Sequence, residues 1–164
     1  MERAQTRLYN ILLPIWLLWI FPQVWLVILP ANLLLDCVVL LVALAALRCT
    51  AKRVVLCRVW WRVWLNGFLA DAAGVAWMVL GMFAAARGGD WWEENLTPIT
   101  GDPFRTPLAL VWTLAGVTIA GVCIYFLDRR SLRRCPEVER RQRHGAALAL
   151  AVLTAPWLFL VPMY

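Results

Sequence analysis

Two acidic side chains stand where the sequence offers them no water. Asp36 interrupts an apolar stretch from Leu8 to Leu47 whose only other ionisable groups are Tyr9 and Cys37, and Asp71 sits in a second stretch between Arg62 and Arg87. An ionised carboxylate at the centre of a membrane helix costs about 3 kcal/mol on insertion scales, so each Asp calls for a partner, a proton or water. At roughly 1.5 Å per helical residue, Asp36 lies about 18 Å before Arg48 and Asp71 about 14 Å beyond Arg62, which puts the two within about one turn of a common depth. An amide stands near each: Asn32 one turn before Asp36, and Asn66 shortly before Asp71. With Gln23 as a further polar group, Asp71, Asp36, Asn66 and Asn32 make a set suited to holding a proton or cation inside a helical bundle. The competing role for both acids is to hydrogen-bond a neighbouring helix and fix packing alone.

Other residue types point elsewhere. Arg129, Arg130, Arg133 and Arg134 follow an apolar run and suit lipid headgroup phosphates, besides setting topology. Gly67, Ala70, Gly74 and Gly81 in one run, and Gly116 and Ala120 in another, are spaced so that helices approach closely, within a bundle or between copies. Zinc is not expected, because Cys49 and Cys57, and Cys135 and His144, are too widely spaced in the chain for the usual ligand pairs. Cys37 and Cys123 read as small apolar fillers, and no cysteine falls in 87–106, so no disulfide framework is expected there. The chain has no phosphate-binding glycine loop and no C-x-x-C pair, and its single histidine lies in a charged segment. No cofactor and no metal are expected, and enzymatic activity is not the favoured reading.

The elements that must position these groups follow from composition. The 164 residues are 63% hydrophobic and 16% charged, against about 45–50% and about 25% for soluble domains, so lipid is the solvent for most of the chain. The apolar runs are continuous, without the alternation of a lipid-facing strand. The reading is an all-α, polytopic helical membrane bundle forming a single integral membrane domain over 1–164. It has five transmembrane helices, at about 8–29, 33–48, 63–85, 107–127 and 145–162. Pro14 and Pro22 should kink the first helix, and Pro30-Ala31-Asn32 should make a tight outer turn into the second. An outer loop over 87–106 carries Trp91-Trp92, Pro98 and Pro103, and Pro156 interrupts the last span. In 51–62 the apolar positions do not settle on one helical face, so this stretch reads as a segment at headgroup level, with Trp60, Trp61 and Trp64.

Charge orients the bundle. Of sixteen Lys and Arg, only Arg87 and Arg105 lie outside the N-terminal pair Arg3 and Arg7 and the basic segments 48–62 and 128–144. That is the positive-inside pattern, which places the N-terminus in the cytoplasm and the C-terminus outside, and it argues for anionic lipids and against nucleic acid as the basic partner. The first apolar run is longer than a signal h-region and lacks a small-residue cleavage site, so it reads as a retained helix. The expected location is a bacterial cytoplasmic (inner) membrane. The expected function is a small transport protein, a channel or transporter for protons or cations. An odd number of spans gives no internal inverted repeat, so symmetry would come from a homo-oligomer. The alternative is a non-catalytic subunit or scaffold packed against another integral membrane protein. A lipid-modifying enzyme working at the basic face is a third possibility.

Overall fold

The computed structural model describes residues 22–162, with side chains from Leu26 onward. Helix α1 spans Pro22–Ala46, α2 Lys52–Arg87, α3 Asp90–Leu96, α4 Pro107–Leu132 and α5 Arg140–Leu153. Single 3₁₀ turns cover Thr97–Thr100, Pro103–Arg105 and Trp157–Leu160, and there is no strand among the described residues. Four helical segments are long and apolar enough to cross a membrane: Leu26–Ala46, Lys52–Arg87, Pro107–Leu132 and Arg140–Leu160. The expected span over 8–29, with its Pro14 kink, lies for the most part outside the described residues.

The expected turn at Pro30-Ala31-Asn32 is not formed, because α1 runs through all three residues. A proline inside a helix removes one N–H and crowds the carbonyl one turn earlier, at about 3 kcal/mol. In an apolar surrounding a full break would orphan more backbone groups than the proline does, so the helix continues. Residues 29 and 33 therefore belong to one helix and do not end and begin two.

Helix α1 closes on a Schellman motif, with Arg48 N–H donating to Ala45 O and Cys49 N–H to Leu44 O, each at 2.9 Å. Arg48 occupies the left-handed position there, at φ 57°, where glycine is usual.

Helix α2 begins eleven residues before the expected span at 63, and this corrects the reading of 51–62 as a segment without a helical face. Val55, Val59 and Val63 are buried at successive turns, and Ala70, Gly74, Gly81 and Ala85 continue the stripe. Exposed Val54, Trp60 and Trp61 on the other side had blurred it.

Helices α1, α2, α4 and α5 pack as neighbours in that order, and α5 returns to α1, closing a ring. Leu40, Leu44, Val55, Val59, Ile124, Leu132 and Leu150 fill the core at the basic end, while Ala85, Leu96, Ile99 and Ala109 form a second cluster at the other end. The exterior is also apolar. Leu26 is 73% exposed and Leu158 80%, a surface that suits lipid and would be costly in water.

Small residues bring α2 against α4. A Cβ placed on Gly74 would lie 3.3 Å from both Ala120 Cβ and Gly116 O, and one on Gly81 only 2.5 Å from Trp112 Nε1. Between these contacts Trp77 and Trp112 form a reciprocal clasp. Trp77 Nε1 donates to Trp112 O at 3.0 Å and Trp112 Nε1 to Trp77 O at 3.2 Å, with the rings stacked at 4.4 Å.

Candidate functional site

Asp36 and Asp71 line one cavity of about 480 Å³. It opens between α1, α2 and the segment that follows α5. Asp36 is buried on α1 and packs against the α2 backbone at Gly67, where an added Cβ would lie 3.5 Å from Asp36 Oδ2. Asp71 comes from the next turn of α2, and its Oδ1 is shielded from solvent with no hydrogen-bond partner among the described residues. Asn32, one turn from Asp36, also lines the cavity. The rest of the lining is largely apolar and includes Trp64, Phe68 and Val75.

The wall opposite is made by the break after α5. The helix stops at Leu153, Pro156 lacks the N–H needed to continue it, and the 3₁₀ turn Trp157–Leu160 turns across the bundle. Phe159 thereby reaches the α2–α4 seam, with its Cε2 3.1 Å from where a Cβ on Gly74 would be. A glycine at position 74 is what admits both α4 and this ring.

Asn66 does not join the cavity. Its Nδ2 donates across to α4, to Asp128 Oδ1 at 2.8 Å and to Ser131 Oγ at 3.0 Å. Asp128 is only 1% exposed, so the bundle holds a third buried carboxylate. Gln23 belongs to α1, and its side chain lies outside the described residues.

Sequence reasoning missed Asp128 and Ser131 by assigning them to the basic segment 128–144. The signal was in the register. Ala109, Thr113, Gly116, Ala120 and Ile124 are buried at steps of three and four, and the next steps fall on Asp128 and Ser131. Adjacent arginines concealed that continuation.

At the basic end, Arg129, Arg133, Arg140 and Arg143 line a second cavity of about 200 Å³, with no acidic residue on its walls among the described residues. Of the four arginines expected to serve lipid headgroups, Arg129 and Arg133 are placed here and Arg130 and Arg134 are not. Arg140 and Arg143 from α5 complete the set. Arg129 Nη1 donates to Tyr125 Oη at 3.1 Å, and that oxygen lies 2.7 Å from His144 Nδ1. Arg143 Nε donates to Val138 O at 2.9 Å, and Arg58 pairs with Glu137 at 3.0 Å.

Among the described residues no three His, Cys, Asp or Glu side chains converge as a metal ion would require. Cys49 and Cys135 are buried in the core, whereas Cys57 is exposed. Comparison with protein-family models, curated proteins and solved structures found nothing that matches this chain.

Proposed function

We propose that this protein is a small integral membrane transport protein that moves protons or small cations through the carboxylate cavity. The observation that carries the reading is that Asp36 and Asp71 line one cavity from adjacent helices. No Lys or Arg is among the residues lining that cavity in the described part of the chain. Two acids in an apolar surrounding without a fixed counter-charge are satisfied by a proton or a cation. Asp71 Oδ1, without a partner among the described residues, is the acceptor best placed to receive it. Asn32 would supply a neutral oxygen beside them, and Asn66 would hold Asp128 at the next seam. We place the basic end of the bundle on the cytoplasmic side by the positive-inside bias, and we take the protein to act as a homo-oligomer because the cavity lining among the described residues is largely apolar.

The test is proton and cation flux into liposomes carrying the purified protein, with wild type, Asp36→Asn and Asp71→Asn compared at matched oligomeric state. Flux in wild type that is lost in Asp71→Asn supports the carboxylate path. Flux that survives both substitutions, or no flux in wild type, rejects it. If Asp71→Asn weakens assembly and leaves flux untouched, the cavity acids serve packing.

A further inference from the structure

We infer that the α4–α5 face is a binding site for one anionic phospholipid, whose headgroup phosphate is held by Arg129, Arg133, Arg140 and Arg143 and whose acyl chain lies in the groove running from them towards the bundle middle. This site is separate from the carboxylate cavity and does not depend on the transport reading.

Two cavities of different chemistry lie one beyond the other along this face. The first is the four-arginine cavity at the basic end. The second is a groove of about 540 Å³ whose α4 wall is Val117, Gly121 and Tyr125 and whose α5 wall is His144, Leu148 and Val152. The residues of each wall are spaced by one helical turn, and the arginines continue the same rows: Arg129 and Arg133 follow Tyr125 at one-turn steps, and Arg140 precedes His144 by one turn. The junction is bridged by the Arg129–Tyr125–His144 contacts at 3.1 and 2.7 Å. Gly121 makes the floor, since a Cβ there would meet Ala151 O at 3.3 Å and the two backbones nearly touch.

The dimensions and charge select the occupant. From Arg129 to Val117 the groove is about 18 Å long at 1.5 Å per residue, close to one leaflet of a ~30 Å hydrocarbon core. A trough that is cationic at one end and apolar over one leaflet matches an anionic lipid from headgroup to tail. Basic pockets between membrane helices bind such headgroups. Four guanidinium groups without an acid among them also repel one another, and a phosphate relieves that repulsion while accepting several charge-assisted hydrogen bonds. A soluble phosphate would use the arginines and leave the groove idle.

The test is native mass spectrometry of the full chain in detergent, titrated with phosphatidylglycerol or with phosphatidylcholine of the same acyl chains. Phosphatidylglycerol should be retained in preference. Arg133→Gln with Arg140→Gln should weaken its binding roughly ten- to thirtyfold, from about 1 kcal/mol per basic residue near an anionic lipid. Arg130→Gln with Arg134→Gln removes the same charge off the cavity and should leave binding near wild type. Equal losses in the two double variants, or no preference for the anionic lipid, overturn the site. If the cavity variant does not fold, the unaltered protein still decides: glycerol phosphate should fail to displace the lipid at equal concentration. Equal displacement would assign the arginines to a soluble anion and overturn the lipid.

Discussion

Asn66 directs its amide across the α2–α4 seam to an acceptor that has almost no water, the Asp128 carboxylate, and to Ser131 beside it. Removing a donor from a buried charged group costs more than the bond contributed, because the acceptor stays desolvated. Asn66→Ala should therefore destabilise the protein by about 1–3 kcal/mol, while Asp128→Asn, which keeps an oxygen for Asn66, should cost less than Asp128→Ala. Denaturant unfolding in micelles measures all three. The cysteines give a chemical check at the same scale. Burial pushes the Cys135 thiol up from its ordinary value, only partly offset by Arg58, and the side chain is enclosed. Maleimide should label exposed Cys57 in the native protein and reach Cys135 only after unfolding. Asp36 and Asp71 were legible in the sequence because hydropathy isolates a lone acid in an apolar run. Asp128 was not, because it is followed at once by Arg129 and Arg130, and a charge count assigns all three to a loop. Only the three-and-four spacing of the buried α4 residues separates the acid from its neighbours.

Helix ends and helix seams carry the next set of forces. Arg48 holds the left-handed position that closes α1, at φ 57°, where a side chain costs roughly 1 kcal/mol relative to glycine. Arg48→Gly should raise stability by about that amount without altering the α1–α2 turn, read as a higher unfolding midpoint. Along α2 two glycines should respond in opposite directions. Gly67→Ala meets only ordinary contact at 3.5 Å and gains helix propensity worth up to about 1 kcal/mol. Gly81→Ala drives a methyl into an indole that the Trp77 stack and hydrogen bond hold in place, and overpacking of this kind costs about 1–3 kcal/mol. The four membrane-length helices were legible from continuous apolar runs, whereas their boundaries, and the short α3 inside the expected loop over 87–106, were not. Pro30 reads as punctuation in a sequence, but inside an apolar helix the backbone has no better hydrogen-bond partner than itself. The first turns of α2 were hidden because Trp and Val face the outside of the bundle as well as its core.

At the scale of the molecule, hydropathy distinguishes a membrane protein from a soluble one but does not say which apolar face meets lipid and which meets helix. The ring of α1, α2, α4 and α5 resolves this by setting Gly74, Gly116 and Ala120 in the α2–α4 seam while Leu26, Phe83 and Phe126 face outward. The meeting of Asp36 and Asp71 in one cavity depends on that ring, and on a chain segment after α5 whose course no periodicity predicts.

The brevity of α5 has a consequence for the surrounding bilayer. Its 14 residues rise only about 21 Å, against about 54 Å for the 36 residues of α2, and the hydrocarbon core is ~30 Å thick. On the α5 side the regular helix is shorter than the core, and the 3₁₀ turn Trp157–Leu160 supplies the rest of the crossing, so thinner lipid should fit this side better. Hydrophobic mismatch of this kind costs fractions of a kcal/mol per Å. Reconstituted into vesicles of graded acyl length, the protein should be most stable in the shorter chains. Trp157, Leu158 and Phe159 from that turn also line the carboxylate cavity, so on the transport reading proposed above, flux through Asp36 and Asp71 should change with acyl length in the same vesicles.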